Sequence, residues 1–235
     1  MNIVALLNGR GNNTLKDKNI REVCGKPLLA YPAEAALKSS RIQNFYVSSD
    51  DERIRSTANK LGYKKIHRPE EFGQPTSNQD EVILHALEKM RDDGVKPDIL
   101  VVLLANSVSV KTEWIDNCVD EILADSTLSA VVPVVSDLDH HPFRAKRRRD
   151  DGLLEPFFDF GGKNISGNRQ QIGECFFLCH NFWVLNVEKS ICSSDGQAPW
   201  KFMGSRIKPF EVESSVDVHV EEDLIRCEQW IKKYL

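Results

Sequence analysis

Six consecutive apolar residues, Ile99–Leu104, constrain the fold of this chain more than any other feature. A strand without polar alternation is typical of a parallel sheet that helices cover on both faces. Further strand patterns alternate with helical patterns through residues 1–135, and parallel neighbours need such crossovers. The sequence therefore predicts an α/β protein with a doubly wound, mostly parallel, Rossmann-like sheet. A length of 235 residues suits one such domain over 1–235.

The predicted elements place three loops at one edge of the sheet. Strands are predicted at residues 3–7, 45–47, 63–66, 99–104, 130–135, 176–185 and 210–212. Helices are predicted at 27–37, at 51–61 behind a cap of Asp50 and Asp51, from a cap at 76–78 to 90, after Thr112, and at 221–234. Ligands of such sheets lie at the carboxyl ends of the strands. We therefore expect the loops after Leu7, Ser48 and Leu104 to meet at one crevice.

Residues 137–172 depart from this alternation. They contain two prolines, several glycines and the basic run 146–149. Asp150-Asp151-Gly152 is a hairpin-turn signal between residues 144–149 and 153–158. We expect an arm inserted into the domain at about 137–172. Acidic residues follow the basic run at once and the formal net charge is −4, which favours a solvated strand edge over a nucleic-acid site.

The sequence carries no signal for secretion or for a membrane span. No apolar run approaches ~20 residues, and the N-terminus lacks the basic segment of a signal peptide. The six cysteines include no Cys-x-x-Cys pair, which favours free thiols in a reducing compartment. We expect a cytoplasmic protein with no membrane partner. Cys175, Cys179 and His180 lack a second pair at zinc spacing, so we expect buried thiols there.

A glycine-bearing loop follows the first predicted strand. Asn8-Gly9-Arg10-Gly11 would bring backbone N–H groups near an anion, and Lys16 and Lys18 would add positive charge. The loop is not a Walker A sequence and lacks the third glycine of a dinucleotide fingerprint. Many first loops of this kind contain glycine only to turn, so this motif alone leaves both interpretations open.

A wider set of motifs occurs in a recognisable order along nearly the whole chain. It comprises Asn8-Gly9-Arg10-Gly11, Lys18-Asn19-Ile20, Gly25-Lys26-Pro27-Leu28, Val47-Ser48-Ser49-Asp50, Arg68-Pro69-Glu70, His140-His141-Pro142, Arg169-Gln170-Gln171 and Ser215-Val216-Asp217-Val218-His219. The ordered set resembles the acylneuraminate cytidylyltransferases, the CMP-sialic acid synthetases. No single motif is specific, but their order is. The resemblance implies the nucleotidyltransferase version of the predicted fold, with residues 137–172 as a dimerisation arm.

The resemblance is incomplete at the expected active site. The family's first loop reads Ala-Arg-x-Gly-Ser-Lys; an ungapped match places Gly9 at the arginine, and a one-residue gap places Arg10 there. In either alignment one of the family's phosphate-binding cations is missing. Lys16 is a candidate to replace it. After the fourth strand, the family's polar glutamine and terminal arginine are replaced at Leu104 and Val110. These departures leave the fold intact and the substrate open.

The family's Asp-x-Asp metal pair becomes Asp217-Val218-His219 in this chain. Imidazole suits softer ions than Mg²⁺, such as Mn²⁺ or Zn²⁺. One carboxylate with the phosphates could suffice, the metal could differ, or His219 could act as a base; a histidine without a role is the remaining alternative. We expect Mg²⁺ as cofactor, with Mn²⁺ as the alternative.

The resemblance implies an enzyme that transfers CMP from CTP to an acidic α-keto sugar of the sialic-acid or nonulosonate type and works as a homodimer. A different nucleotide or sugar, or a non-catalytic binding homologue, stays open. The implied site residues are Arg10, Lys18 and Asp217 for catalysis; Asn8, Gly9, Arg10, Gly11, Lys18, Asn19 and Arg68 for the nucleotide; Asn106, Arg144, Arg169, Gln170 and Trp183 for the sugar; and Asp217 and His219 for the metal. For Arg144, a surface ion pair is as good an interpretation as sugar binding. For Trp183, a place in the core is as good an interpretation as sugar binding.

Overall fold

The computed structural model describes all 235 residues, as twelve strands and five α-helices. The strands are β1 (Ile3–Asn8), β2 (Glu22–Val23), β3 (Lys26–Pro27), β4 (Asn44–Ser49), β5 (Lys64–His67), β6 (Ile99–Leu104), β7 (Ala130–Ser136), β8 (Lys146–Arg148), β9 (Leu154–Pro156), β10 (Phe176–Leu178), β11 (Phe182–Asn186) and β12 (Ile207–Glu211). The helices are α1 (Ala30–Leu37), α2 (Glu52–Lys60), α3 (Gln79–Asp92), α4 (Thr112–Ala124) and α5 (Glu221–Tyr234). No helix is long and apolar enough to span a membrane.

The central sheet is mostly parallel, as the sequence predicts. Strands β5, β4, β1 and β6 lie side by side in parallel. Strand β11 runs antiparallel between β6 and β7, and β12 pairs in parallel with the other edge of β7. Strand β10 extends the antiparallel pairing along β7 beside β11. The carboxyl ends of β1, β4 and β6 therefore meet at one edge of the sheet, where the crevice is expected.

Both faces of the sheet are covered, which explains the apolar run in β6. Ile99, Val101 and Leu103 pack into a cluster of 33 buried residues shared with α1, α2, α4 and α5. Leu100, Val102 and Leu104 point to the other face and pack into a cluster of 19 buried residues shared with α3. Because side chains alternate along a strand, a strand between two apolar layers needs apolar residues at every position.

The structure corrects three of the predicted elements. The predicted strand 176–185 is interrupted at residues 179–181, because β10 pairs with β7 alone, whereas β11 also pairs with β6. At this bend the N–H of Cys179 donates to the Pro133 carbonyl, and the Asn181 carbonyl accepts from the N–H of Leu104. Pro27 lies in the β2–β3 hairpin, so α1 begins three residues later than predicted. Strand β12 begins three residues before the predicted 210.

The caps of α2 and α3 also differ in detail from the prediction. Asp51 caps α2 by accepting a hydrogen bond from the N–H of Arg53, but Asp50 takes no part in this cap. Asn78 precedes α3 without a side-chain capping bond. The backbone N–H groups in the first turn of α3 therefore receive no hydrogen bond acceptor from the Asn78 side chain.

The hairpin predicted in residues 137–172 is confirmed. Strands β8 and β9 pair with each other and with no strand of the central sheet. Gly152 in their turn has φ 85°, a conformation that glycine adopts without strain. Exposed apolar side chains lie on and beside this hairpin; they are Phe143, Leu153, Leu154, Phe157 and Phe158.

Candidate active site

A cleft of about 270 Å³ opens at the carboxyl ends of the parallel strands. Asn8 and Leu104 line it at the ends of β1 and β6, and Arg68 lines it directly after β5. Nine of the predicted site residues line the cleft: Asn8, Gly9, Arg10, Lys18, Asn19, Arg68, Asn106, Asp217 and His219. The structure thus brings the opening loop and the C-terminal Asp-x-His motif to one place, although about 200 residues separate them along the chain.

The glycines of the first loop allow close packing with neighbouring segments. A Cβ atom on Gly9 would lie 2.8 Å from the Ala105 Cβ and 3.1 Å from the Asn19 Nδ2. The N–H of Gly9 donates to the Ser48 carbonyl at 3.3 Å, and the N–H of Gly11 donates to Asp50 Oδ1 at 2.9 Å. Both amides have partners inside the protein, and Gly11 does not line the cleft. In this structure the N–H groups of Gly9 and Gly11 are thus bonded within the protein, and anion binding by the loop stays a prediction.

Two cationic side chains of the first loop and the residues after it, Arg10 and Lys18, line the cleft. Lys18 is 9% exposed and its Nζ donates to the Val218 carbonyl at 2.7 Å. Burial, with a further contribution from Arg10, lowers the pKa of Lys18, while Asp217 acts in the opposite direction. Arg10 Nε donates to Asn13 Oδ1 at 3.2 Å. Both cations line the cleft.

Arg68 is the most deeply buried cation of the cleft, at 3% exposure. Its guanidinium donates to the Ser48 carbonyl at 2.7 Å, to Ser48 Oγ at 3.2 Å and to Asn8 Oδ1. Burial lowers the pKa of Arg68 to about 10; the Asp50 carboxylate acts in the opposite direction, and Arg10 acts in the same direction as burial. A buried cation is costly unless an anion compensates it.

None of the ion pairs in the protein includes Arg10, Lys18 or Arg68. Three cations without carboxylate partners thus face one cleft. An anionic ligand with several oxygens would compensate all three at once. The arrangement therefore fits a phosphate-bearing ligand.

Two serines hold the segment that carries Asp217 against the end of β6. Ser107 Oγ donates to the Val216 carbonyl at 2.6 Å, and the N–H of Val216 donates to Ser109 Oγ at 2.8 Å. Ser107 and Asp217 also form a β-bridge. The loop after β6 lacks the polar residues of the resembled family, but its own hydroxyls position the carboxylate.

Asp217 and His219 lie in direct contact. His219 Nε2 and Asp217 Oδ2 are 2.6 Å apart. Asp223 accepts hydrogen bonds from the N–H groups of His219 and Val220, at 2.9 and 3.0 Å, and so links the motif to the start of α5. No third histidine, cysteine, aspartate or glutamate joins the pair in a metal-binding group. Among residues of these four types, the site therefore offers a metal only Asp217 and His219.

Four of the predicted sugar-binding residues lie outside the cleft. Trp183 is 2% exposed and its indole N–H donates to the Cys179 carbonyl at 3.0 Å, so it is a core tryptophan in this structure. Arg144 and Arg169 each lie within 3.6 Å of Asp139 Oδ1, on the arm. Gln170 is exposed in the short helix that begins at Arg169. The chain by itself brings none of these four side chains to the cleft.

Three residues at or beside the cleft were not among the predicted site residues: Asp50, Gln79 and His180. Asp50 anchors the first loop through Gly11. Gln79 Oε1 accepts from Asn8 Nδ2 at 2.8 Å, which turns the Asn8 amide oxygen toward Arg68. His180 lines the cleft from the bend before β11. In the sequence, Asp50 is predicted only to cap a helix, and His180 is considered only as a zinc ligand.

The fold and the cleft together define an α/β protein with a mostly parallel sheet and a cation-lined cleft at the carboxyl ends of its strands. A family model described as cytidylyltransferase matches residues 9–147, which is more than half of the chain. The protein therefore belongs to the cytidylyltransferase family. A solved structure of CMP:2-keto-3-deoxy-manno-octonic acid synthetase complexed with CTP superposes with a TM-score of 0.71 over 100% of both chains, at 15% identity, and so shares the fold.

Two curated relatives are more similar in sequence over shorter segments. N-acylneuraminate cytidylyltransferase of Escherichia coli is 36% identical over 91 residues, which is 38% of this chain and 22% of that protein. CMP-N,N'-diacetyllegionaminic acid synthase of Legionella pneumophila is 32% identical over 122 residues, or 51% of this chain and 53% of that protein. The chain thus matches between about a fifth and a half of the length of these relatives.

Proposed function

We propose that this protein transfers CMP from CTP to an acidic α-keto sugar of the sialic-acid or nonulosonate type and releases pyrophosphate. The observation that carries the proposal is the set of three cations, Arg10, Lys18 and Arg68, that face the cleft without ion-pair partners. A triphosphate supplies the compensating negative charge. The choice of CTP and of the sugar class follows the two relatives, an N-acylneuraminate cytidylyltransferase and a CMP-N,N'-diacetyllegionaminic acid synthase.

In the proposed reaction a hydroxyl oxygen of the sugar attacks the α-phosphorus of CTP. A new oxygen–phosphorus bond forms, the bond from the α-phosphorus to the bridging oxygen breaks, and pyrophosphate leaves with the electron pair. The hydroxyl proton passes to solvent or to a basic group at the site. Arg10, Lys18 and Arg68 position the phosphates and neutralise the charge that develops on them.

A divalent metal ion fits this site only together with the nucleotide. Asp217 and His219 are two adjacent candidate ligands, and no third histidine, cysteine, aspartate or glutamate joins them. Mg²⁺ is commonly held by one or two carboxylates together with phosphate oxygens and water. We propose that Asp217 holds Mg²⁺ or Mn²⁺, with His219 favouring the softer ion. The bound ion would supply charge stabilisation at the phosphates.

We further propose a homodimer in which the arm of each subunit completes the partner's acceptor site. Exposed apolar side chains on and beside the β8–β9 hairpin support an interface there, because such clusters rarely stay in contact with water. Arg144 and Arg169 lie on the same arm and share Asp139. A two-fold dimer would carry these arginines to the partner, where a sugar carboxylate could replace Asp139.

The direct test is pyrophosphate release from each of the four nucleoside triphosphates with a panel of α-keto acid sugars, in Mg²⁺ and in Mn²⁺. We expect pyrophosphate release with CTP and at least one acidic sugar. Release with another nucleotide, or only with a neutral sugar, would replace the proposed substrate within the same fold. No release under any combination would favour a non-catalytic binding homologue.

A further inference from the structure

Residues 69–77, which we call the strap, connect β5 to α3 and border the cleft. Every hydrogen bond that these residues make stays within the strap; Ser77 Oγ, for example, donates to the Glu71 carbonyl at 2.8 Å. The strap nevertheless supplies part of the cleft wall, through Phe72, Gln74, Pro75 and Ser77. A segment without hydrogen bonds to its surroundings thus shapes the candidate site.

The middle of the strap is held to the rest of the protein by packing. The ring of Phe72 lies 5.6 Å, centroid to centroid, from the imidazole of His85 on α3. The backbone at Gly73 lies directly against Asp50, because a Cβ atom there would be 2.8 Å from the Asp50 Cγ. Most strap residues are exposed. A segment with so few buried contacts opens at little cost in free energy unless its ends are held.

Both ends of the strap are bonded to one side chain, Asn8. The guanidinium of Arg68, directly before the strap, donates to Asn8 Oδ1, and Asn8 Nδ2 donates to Gln79 Oε1 at 2.8 Å, at the start of α3. A guanidinium has only donors, so the Asn8 oxygen must face Arg68 and the Asn8 amide nitrogen must face Gln79. Asn8 itself is 6% exposed and ends β1, between β4 and β6 in the sheet.

We infer that Asn8 is a positioning residue, whose amide holds both ends of the strap and thereby sets the place of the strap residues in the cleft wall. The resemblance implied that Asn8 contacts the nucleotide, but its amide oxygen and its amide nitrogen both have partners within the protein. Asn8 therefore acts on a ligand through the strap. The effect on CTP rests on the proposed function, whereas the position of the strap does not.

The first test measures hydrogen exchange of the strap amides by mass spectrometry, without nucleotide. N8A removes both bonds, and the strap amides are expected to exchange about tenfold faster. N8D keeps both, since a carboxylate accepts from Arg68 and, once the Gln79 amide turns over, from Gln79 Nε2; strap exchange is expected within about threefold of the wild type. Asn44 begins β4 at the opposite edge of the sheet, so N44A is the matched control and should keep wild-type strap exchange.

The second test is a cycle of N8A and Q79M, which remove the same bond from its two sides. The double variant is expected to show the strap exchange of N8A alone, because the second change then has nothing left to remove. N8A is also expected to raise the KM for CTP by a larger factor than it lowers kcat. A smaller folded fraction would lower kcat and leave the KM unchanged.

Three results would overturn the inference: unchanged strap exchange in N8A, strap exchange in N8D as fast as in N8A, or exchange in N8A that is faster by the same factor throughout the sheet. The last would indicate a general loss of stability. A wild type that does not turn over CTP contradicts the proposed function only, because the exchange measurements need no nucleotide and still decide the role of Asn8.

Discussion

The ammonium of Lys18 donates a hydrogen bond to the backbone carbonyl of Val218 at 2.7 Å, between the two residues of the Asp-x-His motif. This contact joins the first loop of the chain to its last loop before α5. It holds a cation beside Asp217, where a metal-bound triphosphate would need both charges. Because the same bond fixes both segments, we expect substitutions in either segment to affect nucleotide binding in similar ways.

Loss of the Arg68 charge should weaken CTP binding while the fold is kept. Arg68→Met keeps the length of the side chain but removes a buried cation that has no carboxylate partner. A charge-assisted hydrogen bond contributes about 1.5–3 kcal/mol, so the dissociation constant for CTP should rise about 10- to 100-fold. Titration calorimetry measures it. Arg55 is also buried but pairs with Glu52 away from the cleft, so Arg55→Met is the control that should bind CTP normally.

Gly9 should tolerate a methyl group only if Ala105 loses its own. In Gly9→Ala the new Cβ would lie 2.8 Å from the Ala105 Cβ, and such overpacking costs about 1–3 kcal/mol of unfolding free energy. Denaturant unfolding should show this loss, and CTP binding should weaken. The double variant Gly9→Ala, Ala105→Gly should recover most of the loss, because the two side chains couple directly. If the changes in unfolding free energy of the two single variants simply add up in the double variant, the proposed clash is contradicted.

Removal of the Asp50 carboxylate should loosen the first loop. Asp50 accepts a hydrogen bond from the N–H of Gly11 and does not line the cleft. Asp50→Ala is expected to raise the KM for CTP about tenfold, the effect of losing a charged acceptor. Asp51→Ala removes the cap of α2 instead, and should lower stability by about 1 kcal/mol with a smaller effect on KM. Equal KM effects of the two variants would refute a specific role for Asp50.

Metal dependence should follow the Asp217–His219 pair. Asp217→Ala is expected to reduce turnover about 100-fold or more, because it removes the only carboxylate among the proposed metal ligands, and to leave the melting temperature nearly unchanged. His219→Asp supplies a second carboxylate and should shift the preference from Mn²⁺ toward Mg²⁺. Pyrophosphate release measured against the concentration of each ion tests both. Wild-type turnover by Asp217→Ala, or activity that EDTA does not affect, would rule out the metal proposal.

The oligomeric state should depend on the exposed apolar side chains of the arm. Leu154 is 69% exposed and Phe157 is 51% exposed. Lysines at both positions should convert the expected dimer to a monomer in analytical ultracentrifugation, since charge is unfavourable in the centre of an interface. Leu123→Lys, on the exposed side of α4, is the matched control and should stay dimeric. A wild-type protein that sediments as a monomer at all concentrations would contradict the dimer.

Local patterns were sufficient for much of the fold. The apolar run of β6 implied two covered faces, and α5 was predicted at its observed bounds from its amphipathic spacing. The hairpin of the arm followed from a turn signal whose glycine has positive φ. Such features depend on neighbours along the chain, and these are visible in the sequence. The interruption between β10 and β11 is not of this kind, because it depends on which strand each half meets.

The sequence by itself determined the α/β class, the order of the elements and the residue types that a nucleotide site needs. Tertiary structure alone decided which partners those residues have: the N–H groups of Gly9 and Gly11 are used within the protein, Trp183 lies in the core, and His180 lines the cleft. The physical reason is how far apart along the chain the interacting residues lie. Secondary structure follows from the periodicity of nearby residues, whereas a hydrogen-bond partner depends on distances across the sheet that no local pattern encodes.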